Sequence, residues 1–96
     1  MKHHIIVKFK SDVSDERKDA LVPEVKALFD NTTSIDGIYS VSVLRNCIAR
    51  ENRYDMMIVI DMEKEALPEY DGCLWHKKWK SDYGDMIEKK AIFDCE

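Results

Sequence analysis

Apolar and polar positions along "HHIIVKFK", His3 to Lys10, put Ile5, Val7 and Phe9 on one face and Ile6 with His4 on the other. β-branched and aromatic residues on both faces predict a strand covered from two sides. The period then changes. Leu21, Val25, Leu28 and Phe29 recur at helical spacing behind Ser14, a plausible N-cap, and Asp15 and Glu16 fall in the first turn, where the helix dipole favours negative charge. Pro23 lies inside that stripe, and its missing N–H predicts a kink or a separate first turn. Asn31 and the polar "NTTSIDG" end the helix. "GIYSVSVLRNCIA" returns to alternation, with Tyr39, Val41 and Val43 against Ile38, Ser40, Ser42 and Leu44, as a second strand requires. A third follows a polar turn: "YDMMIVIDM", with Tyr54, Met56, Ile58 and Ile60 on one face and Met57 and Val59 on the other. "EKEALPEYDG" holds a short helix. "CLWHKKWKSDYGDMIE" sets Trp75, Trp79, Tyr83 and Met86 on one helical face that Gly84 ends or loosens, and "KKAIFDCE" closes the chain as a strand.

The resulting order βαββαβ, four strands and two helical segments, is that of a ferredoxin-like α+β sandwich. Helices so few cover one face of the sheet. The other face is expected to carry Ile6, Met57, Val59 and Ile92, too apolar a surface to leave in water, so something else must cover it.

Length and charge narrow the choice of partner. The 96 residues suffice for one core, so residues 1–96 are expected to form a single domain. With 15 basic against 19 acidic residues and a net charge of -4, the chain has no basic cluster that outweighs its acidic neighbours. Nucleic acid and anionic membrane are therefore not expected as partners. Cys47, Cys73 and Cys95 are odd in number and lack CxxC spacing, which points to a reducing compartment, the cytoplasm. The start, "MKHHIIVKFK", has a short apolar run broken by Lys8 and no small-residue cleavage site, so it reads as neither signal peptide nor membrane span. There is no glycine-rich phosphate loop, nucleophile elbow or HExxH, which leaves kinase, hydrolase and dinucleotide readings without support; no cofactor is expected.

Four stretches, "HHIIVKFKSDVSDE", "RYDMMIVIDME", "YDGCLWHKKW" and "KKAIFDCE", frame nearly the whole chain. In that order and spacing they resemble the stress-responsive dimeric α/β barrel (Dabb) family. The resemblance implies a ferredoxin-like protomer that pairs through its sheet with a second copy into a closed barrel, which would supply the missing cover. It also implies a stress-response role, in a family most of whose members have no defined chemistry. Members that act as polyketide cyclases use a tyrosine and, six residues later, a histidine; that pair falls on Tyr70 and His76. Their first-strand histidine falls on His3. Their third-strand histidine is replaced by Met56, and the histidine-proline segment before the helix by Cys73 and Leu74.

Each constellation has a chemical and a structural reading. Tyr70 and His76 can work as an acid/base pair, the imidazole titrating near neutral pH and the phenol donating to a developing oxyanion. The bland alternative has His76 lining the core beside Trp79 and donating to a backbone carbonyl. His3 opens a strand, where an exposed end is the default; the chemical reading needs it to face a pocket. Cys73 and His76, at i and i+3, can share a metal only if a third ligand such as His3 or Asp55 converges on them, and no metal is expected. Cys73 alone is expected to be a half-buried small residue rather than a reactive thiol. The aromatic stripe reads as core, and "HKKWK", flanked by "EYDG" and "DYGD", as a solvated helix face. Three functions stay open: a small-molecule-binding stress protein with a cavity between sheet and helices, a cofactor-independent cyclase or lyase using Tyr70 and His76 with His3 beside them, and a purely structural dimer with a filled interior.

Overall fold

Ser14 sets the start of the first helix, its Oγ accepting the Arg17 N–H at 3.1 Å. A computed structural model describes residues 1–96, and in it α1 runs from Asp15 to Asp30 without a break. The kink or detached first turn expected at Pro23 does not divide the helix. Pro23 is exposed, and so is Asp19, four residues before it, whose carbonyl loses its helical donor on the solvent side. Leu21, Val25 and Phe29, all buried, pin the helix to the sheet on both sides of the proline. Asn31 closes α1, its side-chain amide donating to the carbonyls of Ala27 and Leu28.

The strands are β1 (Lys2–Phe9), β2 (Ile38–Arg45), β3 (Met56–Met62) and β4 (Ile87–Cys95). They form one antiparallel sheet in the order β2-β3-β1-β4, the ferredoxin-like α+β arrangement expected from the sequence. Between β3 and β4 lie the short helix expected in "EKEALPEYDG", α2 (Leu67–Asp71), and the longer one expected after it, α3 (Leu74–Tyr83), making three helices with α1. Gly72 and the N-cap residue Cys73 separate them, and α3 ends at Gly84 as anticipated. No helix is long and apolar enough to cross a membrane.

The core lies between α1, α3 and the inner sheet face. Ile5, Val7 and Phe9 of β1 meet Met56, Ile58 and Ile60 of β3 beneath Phe29 and Trp79. Strand β2 departs from simple alternation. Its register against β3 steps by two residues between Ile38 and Ser40 while β3 steps by one, a bulge that turns both Ile38 and Val41 inward. Gly37, at φ 90°, makes the turn that leads into it. The outer face carries Ile6, Met57 and Val59, with Leu44 and Phe93 exposed beside them. Ile92, expected there, is on the inner face instead. It pairs with Ile5, so Phe93 and Ala91 are the outward apolar residues of β4, between Lys89 and Cys95 on the same face.

Candidate functional site

Strand β4 lies at the edge of the sheet, and the helices do not cover its inner face. Lys90, Ile92 and Asp94 alternate along that face, opposite Val7, Ile5 and His3 of β1. Ile92 remains 52% exposed. Between this strip and the α2–α3 pair lies a cavity of about 300 Å³, with apolar lining from Ile5, Leu67, Trp79 and Ile92.

His3, Tyr70 and His76 all line this cavity. Three separate elements bring them there: β1, α2 and α3. The Tyr70 ring sits between the two imidazoles, 5.4 Å from His3 and 4.9 Å from His76 between ring centres. Tyr70 is 1% exposed, yet no protein group reaches its hydroxyl. A buried hydroxyl without a partner costs roughly 1–3 kcal/mol, so its placement here does not serve stability. His3, whose default at a strand start was exposure, is 5% exposed. Alternation accounts for this: His3 shares the inner face with Ile5, and its cross-strand partner is Asp94.

The hydrogen bonds fix both ring orientations. His76 Nδ1–H donates to the Asp71 carbonyl at 3.0 Å, and His3 Nδ1–H donates to the Asp94 carboxylate at 2.5 Å. A carbonyl only accepts, and so does an ionised carboxylate, so Nδ1 carries a proton in each ring, and a neutral His76 offers Nε2 as an acceptor. Burial holds the His76 pKa below the usual imidazole value; the hydrogen bond to Asp71 opposes it, and the charges of Lys80 and Lys90 add to it. Burial pushes the Tyr70 phenol well above its ordinary range, with Cys73 and Asp71 contributing in the same direction. At neutral pH the pair is therefore a protonated phenol beside a neutral imidazole. Such a pair can donate a hydrogen bond to a carbonyl oxygen and accept a proton from the adjacent carbon. The structural alternative for His76 is met as well, since it donates to a backbone carbonyl while lining the cavity.

The other candidate residues lie elsewhere. Met56 is buried in the core against Val7, outside the cavity lining. Cys73 is half-buried and caps α3, its Sγ accepting the His76 N–H at 3.4 Å. Asp55 accepts from the Phe9 N–H at 2.8 Å and pairs with Lys18 at 3.4 Å. It does not converge with Cys73 and His76, and no three His, Cys, Asp or Glu side chains come together at metal-binding spacing. Trp79 is core, as its place in the aromatic stripe predicted, and Tyr83 stacks on it at 5.5 Å. Lys77, Lys78 and Lys80 are exposed, as the solvated helix face predicted, and Lys80 also borders the cavity together with Lys90 and Asp94. The signal for the two β4 residues was the register: once His3 is placed inward, alternation in both strands puts Asp94, Ile92 and Lys90 on the same side.

No curated protein matches the chain by sequence. Among solved structures, a dimeric protein of unknown function with a ferredoxin-like fold from Bacteroides fragilis is similar at TM-score 0.78 and 18% identity, over 99% of this chain and 93% of its own. An Arabidopsis thaliana protein is similar at TM-score 0.73 and 21% identity, covering 99% of this chain and 92% of its own. A Dabb family protein with a ferredoxin-like fold from Mesorhizobium loti follows at TM-score 0.69 and 20% identity, over 99% and 93%. Likeness at these identities establishes the fold. The sequence itself matches the stress responsive A/B barrel domain across residues 1–96, and the chain belongs to that family, the Dabb proteins.

Proposed function

We propose that residues 1–96 act as one cytoplasmic stress-response domain that binds a small organic molecule in the cavity between β4 and the α2–α3 pair. The Tyr70 hydroxyl carries this reading: it is buried and unpartnered, and its ring packs against two imidazoles. A ligand oxygen would supply the missing partner. A purely structural dimer would have no need of such a cavity. Assembly is proposed to be a homodimer through the outer sheet face, supported by its apolar residues and by similar folds described as dimeric. The net charge of -4 speaks against nucleic acid and anionic membrane as partners.

The second reading is catalytic, and the protonation states of Tyr70 and His76 favour it. His76 Nε2 would take a proton from the carbon beside a ligand carbonyl while Tyr70 stabilises the enolate oxygen, with no cofactor required. His3, held by Asp94, lies at the same wall. Calorimetric titration of small phenolic and polyketide-like ligands tests both readings. His76→Ala and Tyr70→Phe should each weaken binding about tenfold, the worth of one good hydrogen bond, while the fold is retained. Variants that lose stability and leave the ligand response unchanged would make His76 and Tyr70 packing residues.

A further inference from the structure

Successive residues of a strand point to opposite faces, so His3 and His4 face opposite ways at the start of β1. His3 lines the cavity, and His4 is the one histidine on the outer sheet face. It lies inside the apolar patch there, with Val59 of β3 on one side, Phe93 of β4 on the other, and Leu44, Met57 and Ile6 in the next row. The His4 ring meets the Phe93 ring edge on, at 6.0 Å between centres, and its Nδ1–H donates to the Phe93 carbonyl at 3.0 Å. A carbonyl only accepts, so Nε2 is the atom at which the ring gains or loses its charge. No group of the protomer bonds to it. The charged groups on this face are Lys2 and Lys8 of β1, Asp61 of β3 and Lys89 of β4, while β2 contributes the uncharged Ser40, Ser42 and Leu44. The thiol of Cys95 lies beside Lys2, and past Asp61 the Tyr39 hydroxyl donates to Glu63. Asp61 is the one carboxylate in the adjoining rows, and Lys2 holds it at 3.2 Å. An imidazolium at His4 therefore has no free anion to pair with.

We propose that His4 is a pH switch of assembly: the outer faces of two copies pair while its ring is neutral, and protonation of that ring releases them. The switch rests on the homodimer reading above and adds its regulation. A twofold contact uses the same patch on both copies, so it brings in two His4 rings, each among apolar side chains where water no longer solvates an imidazolium. In the separate protomer the ring is part-exposed and takes its charge in contact with water. Dissociation is therefore coupled to proton uptake. The dimer has its full stability above the range in which an exposed imidazole titrates, and loses it as the pH falls through that range.

Sedimentation equilibrium of the full chain at about pH 7.5 and about pH 5.5 reads the switch, with circular dichroism following the fold. The native dimer dissociation constant should rise at least about tenfold, and at most about hundredfold, as the two imidazoles charge. His4→Gln and His4→Phe do not ionise in this range; each should stay dimeric with a constant that moves less than about threefold. Calorimetric dilution of the native dimer in buffers of different ionisation enthalpy needs no substitution. At about pH 6 it should show uptake of more than about one proton per dimer dissociated. A native constant that does not move, a change that persists in both variants, dilution without proton uptake, or loss of the native fold at the lower pH overturns the switch and leaves the dimer reading standing. A native chain that is monomeric at both pH values overturns both.

Discussion

Trp79→Ala should lower the unfolding free energy by about 3 to 5 kcal/mol, the range for large aromatic truncations in cores. Trp79 is 1% exposed and meets Phe29 of α1 edge to face, at 5.4 Å between ring centres. It joins α3 to α1 above the sheet, beside the Tyr83 hydroxyl that donates to Glu24, and it also forms part of the cavity wall. Neither neighbour can follow it inward. Phe29 is anchored in a continuous helix and Ile5 in a strand paired on both sides, so the void would persist rather than collapse. In a domain whose whole stability is about 5–15 kcal/mol, that loss would leave much of the chain unfolded at modest denaturant. Urea titration checks it; an unchanged midpoint would mean that the indole is not a core group.

Val59→Asp should abolish dimerisation while leaving the protomer folded. Val59 is on the outer sheet face, between Ser42 of β2 and His4 of β1, with Met57 and Ile6 in the next row. Pairing two such faces would bury a carboxylate from each copy in an apolar patch, at several kcal/mol per ion. The dimer dissociation constant should rise roughly hundredfold or more. Sedimentation equilibrium should give near twice the 11.3 kDa chain mass for the native chain and the single mass for the variant. A native chain that sediments as a monomer would exclude the sheet as the assembly surface.

Strand and helix order was legible because β1 and β3 alternate strictly and because Ser14 and Asn31 bracket α1 with recognisable caps. Pattern failed where the backbone is irregular. A bulge at Tyr39 is a one-residue insertion that depends on pairing with β3, and nothing local to β2 announces it. Ile92 was misplaced for a related reason. Both Ile92 and Phe93 are apolar, so composition does not tell the faces apart, and only the register against β1 does. That error also hid Lys90 and Asp94, which share the face of Ile92. Tyr70 and His76 were legible only through the resemblance to the Dabb family. That His3 joins them depends on β1 lying next to β4 and across from α2, a tertiary arrangement that local periodicity does not encode.

The stability of ligand-free Tyr70→Phe tests most directly whether the cavity is built for a ligand. The substitution removes one buried hydroxyl that no protein group satisfies and leaves the ring between His3 and His76 unchanged. A group kept for binding costs stability in the empty protein, so the variant should be as stable as the native chain or more stable, by up to roughly 1–3 kcal/mol. A loss of more than about 1 kcal/mol, the worth of an ordinary hydrogen bond, would show that the hydroxyl supports the fold and would contradict the assignment of the cavity as a binding site.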